Sequence, residues 1–583
     1  MENPEIAQRL SGMADLIDLT GGSAFRARAY RRAAQLIELL SSRAEDLVRE
    51  GKFAELPGIG SGIQGHVEQL LAHGSFDEYD ALAAKVPPGV RELLQVEGVG
   101  PTTASAAWKK LQVTSVDALE EACRDGRLAR VPRLGAKRVA TIAEAIARYR
   151  ARRGRTPLFR ALGFAEELLR VLRQVPGVER AEAAGSLRRR KETVGDLDLL
   201  VATRNPQPVV RAFTHGRGVE HVQAAGPTRC TVRLAAGLSA DLRIVEPDCF
   251  GAALHYFTGS KAHNIAVRMR AVRKGLKLSE YGIFDGRDRC IGGATEEEVY
   301  RAVGLPYIPP ELREDTGELE AAAQGELPRL VELEDLRGDL HVHSNASSDG
   351  TSSVEELAAE ARRLGREYLA ITDHSRSRPL GLGPTQLARH AKRLRALDHE
   401  LGGRPHLLAG IEVDIGPQGE LDLPDAALAK LDLVVASVHA HFNDPREVMT
   451  ARMIAAIRSG LVDVLGHPTG RQLGQRDPCA LDLEAVLAAA REHGVALEAN
   501  ATPERMDLDD QGCRAAKRAG VPVVISSDAH HVSQLANLQF GVWMARRGWL
   551  ERGDVLNASS WDALQGRLRR KPARSPGHVT HPP

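Results

Sequence analysis

Gly185-Ser186-Leu187-Arg188-Arg189-Arg190-Lys191-Glu192-Thr193-Val194-Gly195-Asp196-Leu197-Asp198-Leu199-Leu200 is the stretch of this 583-residue chain that decides its reading. Asp196 and Asp198 are two apart at the head of an apolar run, so on a strand both carboxylates leave the same face. Adjacent carboxylates repel unless a cation lies between them, and Mg²⁺ accepts hard oxygen ligands together with phosphates. A second ion needs a third carboxylate. Asp241 is the best candidate, because Ser239-Ala240-Asp241-Leu242-Arg243-Ile244-Val245 starts another apolar strand. Two such ions could serve an attacking hydroxyl on one side and a triphosphate on the other. The bland alternative for a lone Asp-x-Asp is an exposed strand edge. Gly185-Ser186 and the arginine cluster upstream of the pair offer phosphate contacts, which weighs against it.

Outward from this stretch the charge is uneven. Net charge is +1, but residues 1–100 carry 10 Lys+Arg against 15 Asp+Glu, and residues 101–290 carry 35 against 19. A basic middle between acidic flanks suggests that one segment meets a polyanion, the alternative being a solvated arginine-rich surface. Residues 1–150 read as helical, and two of their segments share a pattern: Leu56-Pro57-Gly58-Ile59-Gly60 and Val96-Glu97-Gly98-Val99-Gly100. Paired glycines between helices allow a tight turn with backbone amides free at a helix start, which suits a phosphate. A third, looser copy lies at Val131-Pro132-Arg133-Leu134-Gly135.

From residue 337 the rhythm changes. Seven apolar runs alternate with helical stretches: Asp339–Val342, Tyr368–Ile371, Leu407–Ile411, Leu431–Ser437, Leu461–Leu465, Val495–Glu498 and Val521–Ile525. This predicts a βα barrel, with an open doubly wound sheet as runner-up. Polar residues stand at the run ends: His341, His343, Asp349, His374, Glu412, His439, His467, Asp528 and His530. In a βα barrel such ends converge on one rim. A lone barrel histidine is usually structural, but twelve of the 20 histidines fall between 341 and 531, which makes chance a poor account. Nitrogen and oxygen donors without thiolates suit Zn²⁺, Mn²⁺ or Fe²⁺.

The first half resembles the family X DNA polymerases through the Gly185–Leu200 stretch and through Tyr256-Phe257-Thr258-Gly259-Ser260-Lys261-Ala262-His263-Asn264. The resemblance implies that Asp196, Asp198 and Asp241 form the metal triad, with Mg²⁺ or Mn²⁺. It implies that Ser186, Arg189 and Gly195 meet the triphosphate, and that Tyr256, Phe257, Gly259 and Asn264 meet the sugar and base of the incoming nucleotide. It makes the glycine turns helix-hairpin-helix motifs that hold DNA through cation-bridged carbonyls of Leu56, Ile59, Leu94, Val96 and Val99. One departure stands out: where members with deoxyribose-phosphate lyase activity carry a Schiff-base lysine, this chain has His66, so that lyase is expected to be weak or absent. The second half resembles the PHP (polymerase and histidinol phosphatase) family through Asp339-Leu340-His341-Val342-His343-Ser344, Ile371-Thr372-Asp373-His374, Gly410-Ile411-Glu412, Ser437-Val438-His439, Gly466-His467-Pro468 and Ser526-Ser527-Asp528-Ala529-His530. That implies metal-assisted phosphoester hydrolysis with two to three Mn²⁺ or Zn²⁺ ions, with Asp373 orienting a ligand instead of binding metal.

The expected architecture is multidomain. A helical helix-hairpin-helix region covers 1–85 and 86–150, and an α+β nucleotidyltransferase palm covers 151–255. A subdomain for the nascent base pair covers 256–315, a linker 316–336, a distorted (βα)7 PHP barrel 337–570 and a disordered tail 571–583. No apolar stretch reaches the roughly 18 residues of a membrane span. Met1-Glu2-Asn3-Pro4-Glu5 lacks the features of a secretory signal, and the six cysteines form no Cys-x-x-Cys pair, so a reducing cytoplasm is expected. The expected function is a monomeric gap-filling polymerase acting on gapped or nicked DNA with deoxynucleoside triphosphates, plus a 3′–5′ exonuclease. The alternatives are a small-molecule phosphatase with a degenerate DNA-binding region and a non-catalytic DNA-end scaffold.

Overall fold

The computed structural model describes residues 3–38, 43–56, 59–96, 98–131, 134–152, 154–234, 237–347, 349–378 and 380–569. Pro57, Gly58, Glu97, Pro132 and Arg133 of the glycine turns, and the tail at 571–583, lie outside the described residues. The chain divides into two compact units, 1–153 and 154–583.

The first unit is all helical among its described residues. Helix Asn3–Thr20 serves two cores: Ile6, Leu10, Met13 and Ile17 pack with Phe53, Val67 and Phe76, whereas Leu16 and Leu19 pack with Val90, Val99 and Ile142. The expected division near residue 85 is therefore bridged by the first helix. Three short 3₁₀ turns, Phe53–Glu55, Leu93–Gln95 and Leu128–Arg130, each lead through a tight turn into a longer helix, Ser61–His73, Pro101–Leu111 and Ala136–Arg152.

Where the palm is expected, the second unit carries a five-stranded sheet: β1 (Val178–Ala183), β2 (Asp196–Thr203), β3 (Val219–Ala225), β4 (Arg229–Leu234) and β5 (Ser239–Val245), in the order β1-β2-β5-β4-β3. Only the central pair, β2 and β5, runs parallel. Strand alternation assigns the faces. Leu197, Leu199 and Val201 enter the core beneath helix Leu158–Arg173, and Leu200 and Ala202 meet Phe250 and Leu254 on the other side. Next come helices Phe250–Thr258, Lys261–Arg273 and Glu296–Ala302, with a small three-stranded sheet between the last two. The expected boundary at 255/256 falls inside the first of these helices. Their joint is ionic and buried: Glu296 pairs with Arg188 at 2.6 Å and with the fully enclosed Arg313 at 2.6 Å.

Residues 316–336, expected as a linker, are built into the fold. Helix Glu318–Gln324 places Leu319 and Ala322 among Val267, Tyr300 and Ile308, and Val331 and Leu336 belong to the barrel core. Periodicity was weak there because the segment is short and shares its apolar residues between two neighbours.

The barrel contains β6 (Gly338–Val342), β7 (Tyr368–Ile371), β8 (His406–Asp414), β9 (Leu433–Ser437), β10 (Val464–Leu465), β11 (Ala496–Asn500) and β12 (Val523–Ser526), all parallel and in sequential order. Alternate residues again divide. Tyr368 and Ala370 fill the interior with Leu340, Leu408, Leu433 and Val435, while Leu369 and Ile371 lie under the outer helices. The end of β12 returns to β6, with Asp528 N donating to the His341 carbonyl at 3.0 Å and His343 N to the Ala529 carbonyl at 2.8 Å. These bonds make a nearly closed barrel and set aside the open sheet. Among the described residues no helix is long and apolar enough to cross a membrane.

Candidate metal centres

In the palm, parallel register sets Asp198 opposite Asp241, with Asp196 two residues earlier on the same strand face. Each offers a carboxylate oxygen within 4.8 Å of the others. Burial, then the charges of Asp196 and Asp241, push the Asp198 carboxyl up to about 7, and burial and Asp241 raise Asp196. Asp198 and Asp196 resist ionising beside one another and beside Asp241, a repulsion that a divalent cation would relieve, so the donor set fits one. The turn carrying Ser186 closes against this site. Gly185 sits at φ +59, and a Cβ there would lie 2.0 Å from Asp198 Oδ2, so only glycine fits.

The other residues expected at a nucleotide site fall partly together. Arg189 Nε meets Glu314 Oε1 at 3.0 Å, and its Nη1 donates to the Thr258 carbonyl. A Cβ on Gly259 would lie 3.1 Å from that Nη1, so Arg189 adjoins the C-terminal end of the helix that carries Tyr256 and Phe257. Tyr256 and Phe257 pack edge to face at 5.1 Å, and Asn264 Nδ2 donates to the Tyr256 carbonyl at 2.6 Å. Gly195 lies near Arg155, which donates to Thr193 Oγ1 at 2.9 Å and offsets a little of the rise that burial and Asp241 impose on the Asp196 carboxyl. Arg155 was missed in the sequence because it stands outside every motif.

All nine rim residues of the barrel converge. Three groups bring donor atoms within 4.8 Å: His343, Asp349, His374 and His530; His341, His343 and Asp528; His374, Glu412 and His439. His467 joins through Nε2, 3.0 Å from Glu412 Oε1. The buried His341 Nε2, both ring nitrogens of His343, Asp349 Oδ1 and Glu412 Oε2 have no hydrogen-bond partner. Buried polar atoms are rarely left so. Buried nitrogen and oxygen donors gathered at one rim fit divalent cations. Burial opposes charge on His374, but Glu412 and Asp349 outweigh it and raise the ring to about 10. His343, buried beside His530 and His374, falls to about 4.

Two orienting carboxylates were missed. Asp414 Oδ1 lies 2.6 Å from His439 Nδ1, and Glu498 Oε1 lies 2.7 Å from His341 Nδ1. Both hold the ring nitrogen turned away from the cluster, which fixes tautomer and orientation. Glu412-x-Asp414 on one strand face, and Glu498 closing the apolar run Val495–Glu498, were the available signals. Asp373, expected to orient a ligand, instead accepts from Ser344 N and Oγ, both at 2.7 Å, and from Ser347 Oγ at 2.9 Å, and so anchors the loop after β6. A pocket of about 240 Å³ opens beside Asp528 and His530, lined also by Gln472, Thr502 and Arg505.

In the first unit the three turns repeat one bond: Ile59 N to Leu56 O at 3.1 Å, Val99 N to Val96 O at 3.0 Å and Leu134 N to Val131 O at 3.1 Å. Around Gly60, Gly100 and Gly135 a Cβ would meet nothing within 4 Å, so each helix start is open to a ligand. The third copy thus matches the other two.

Along the chain, hairpin helices are followed by a sheet bearing a carboxylate cluster and then by a histidine-rimmed barrel, so the chain carries two separate candidate metal-donor sets. The sequence matches the helix-hairpin-helix domain over residues 1–76, the SAM-like helix-hairpin-helix tandem over 90–148, the DNA polymerase beta thumb over 253–314 and the PHP domain over 339–502. It is 35% identical over 575 residues to a protein of Bacillus subtilis (strain 168) described as DNA polymerase/3′-5′ exonuclease PolX, covering 98% of this chain and 100% of that one. Probable phosphatases of Thermoanaerobacter sp. (strain X514) and Vibrio parahaemolyticus are 31% and 32% identical, over 38% and 42% of this chain and 89% and 97% of their own. The chain belongs to the family of bacterial family X DNA polymerases with a C-terminal PHP domain.

Proposed function

We propose that this chain is a DNA-directed DNA polymerase that fills short gaps during repair, and that its barrel is a metal-dependent 3′–5′ exonuclease. The observation that carries the reading is the presence in one chain of two distinct donor sets, carboxylates only in the palm and mainly imidazoles in the barrel. Likeness to the polymerase–exonuclease spans 98% of the chain, against 38% for the first phosphatase, which favours this reading over the phosphatase alternative.

In the palm, Asp196, Asp198 and Asp241 would hold Mg²⁺ or Mn²⁺. Ser186, Arg189 and Gly195 would meet the triphosphate, and Tyr256, Phe257, Gly259 and Asn264 the sugar and base. In the barrel the nine rim residues would hold two to three Mn²⁺ or Zn²⁺ ions, and Arg505 would offer its guanidinium to a phosphate in the neighbouring pocket. Bound divalent ions supply Lewis acidity that offsets charge building on phosphate oxygens. The hairpin carbonyls of Leu56, Ile59, Leu94, Val96 and Val99 would grip DNA backbone without reading sequence. We assign DNA binding to 1–150, the palm to 151–255, the nascent base pair to 256–315 and phosphoester hydrolysis to 337–570. The protein acts as a cytoplasmic monomer, with 3′-phosphatase and abasic-endonuclease activities as further candidates.

The test is primer extension and degradation on a gapped duplex, with Mg²⁺ and Mn²⁺ supplied separately. Asp196→Ala is expected to abolish extension and spare trimming, and His341→Ala or Asp528→Ala to do the reverse. Loss of both activities together in a folded variant refutes two independent centres.

A further inference from the structure

The palm segment between the Gly185–Arg188 turn and the carboxylate strand β2 rests on the barrel. Four consecutive residues each meet a different barrel partner. The Arg189 carbonyl accepts from Arg547 Nη1 at 2.7 Å, and the Arg190 guanidinium lies over the Trp543 ring, 4.3 Å from its centroid. Lys191 Nζ lies 4.0 Å from Asp510, and Glu192 Oε1 lies 3.7 Å from Arg471. Trp543 and Arg547 belong to helix Leu538–Arg547, which is apolar on two sides. Leu538, Val542 and Ala545 enter the barrel core, while Met544, with Phe540 and Trp543 at its edge, completes the palm core. A helix apolar on two sides is one built to be covered on both.

Arg547 stands at the centre of this contact, with its side chain 1% exposed. Its Nη1 also lies 3.1 Å from Glu314 Oε1, and its Nη2 pairs with Asp510. Glu314 Oε1 is the same oxygen that holds Arg189 at 3.0 Å, and Lys191 Nζ lies 3.7 Å from it. One carboxylate oxygen is therefore shared among three cations, one of them from the barrel. How tightly Glu314 retains Arg189 depends on how much of its charge the other two neutralise.

We infer that Arg547 is a positioning residue for the polymerase half: it fixes the Arg189 backbone and shares Glu314, so that the Arg189 guanidinium is presented to the phosphates of the incoming nucleotide. The inference rests on the polymerase reading and on Arg189 as a phosphate contact. It makes the barrel part of the nucleotide site as well as a second catalytic body. Loss of Arg547 removes the backbone anchor and leaves Glu314 to Arg189 and Lys191, so nucleotide binding weakens while the step at the carboxylate triad is little changed.

The experiment uses the full chain with Arg547→Lys and Arg547→Met. Single-nucleotide insertion into a gapped duplex and hydrolysis of a 3′-recessed duplex are measured on the same preparations. A lysine keeps one contact and cannot reproduce the planar fork. KM for the nucleotide is expected to rise about threefold in Arg547→Lys and about tenfold in Arg547→Met, with kcat within about threefold and hydrolysis unchanged. Adding Glu314→Gln to Arg547→Met is expected to recover part of the lost KM, because the two side chains couple. A general packing defect gains nothing from removing a further buried charge. KM within twofold of wild type in both variants overturns the inference, as does a parallel loss of kcat and hydrolysis. If Arg547→Met does not fold, Arg547→Lys decides alone. If the wild-type chain incorporates no nucleotide, it is the polymerase reading that falls.

Discussion

Gly185→Ala is a one-carbon perturbation whose consequence can be worked from distances. The added Cβ would sit 2.0 Å from Asp198 Oδ2 and 2.9 Å from its Cγ, whereas real Cβ contacts stay above about 3.0 Å. The carboxylate and the turn must separate by about 1 Å. The Asp198 side chain cannot give way freely, because it faces Asp196 and Asp241 in the same cluster. Alanine at φ +59 also bears the left-handed penalty of about 1–2 kcal/mol. A displacement of about 1 Å at a reacting centre costs about 100-fold in rate. Single-nucleotide insertion into a gapped duplex should therefore slow by about two orders of magnitude. Degradation of a 3′-recessed duplex by the barrel should hold its wild-type rate, and the melting temperature should fall by a few degrees. Insertion within threefold of wild type, in protein with unchanged circular dichroism, would show that the turn does not set the position of Asp198.

Asp414→Asn and Glu498→Gln keep shape but weaken the acceptors behind His439 and His341. Manganese affinity of the barrel, read by isothermal titration, should drop about 10–100-fold in each, with nucleotide incorporation intact; unchanged affinity would make these carboxylates bystanders. Glu296 bears on acid stability. Burial opposes its ionisation, but Arg313 and Arg188 outweigh that and draw the carboxyl from its usual 4.5 down to about 2. Its contribution is thus complete above pH 4.5, about 3 kcal/mol, and is lost as pH falls through 2. Thermal unfolding across that window should decline in the wild type and flatten in Glu296→Gln, which should also be less stable by about 3–5 kcal/mol at neutral pH because Arg313 is left buried without its partner. An identical acid profile in both proteins would remove Glu296 from the account. Finally, His66 stacks on Phe76 at 4.4 Å, and its Nδ1 meets Tyr30 Oη at 2.7 Å, so no primary amine occupies that position. Borohydride should trap little abasic oligonucleotide on this chain, and efficient trapping abolished by Lys52→Ala or Lys85→Ala would contradict the expectation.

What could be read from residue order alone was whatever depends on near neighbours. Asp196 and Asp198 share a face because strand side chains alternate, and His341 and His343 do so for the same reason. The seven barrel strands announced themselves because each is an apolar run bounded by turns, and their sequential order follows from parallel strands joined by helices. The glycine turns repeated because a tight turn between helices has few chemical solutions. Other features were set by packing between residues far apart in the chain. Glu498 reaches His341 across 157 positions, and Arg547 reaches Glu314 across 233. Nothing local marks either pair, since a carboxylate or guanidinium finds its partner only after the strands and helices beneath it are assembled. Residues 316–336 belong to the same class. Their few apolar side chains look like a spacer in one dimension, and become core only when two neighbouring bodies close over them.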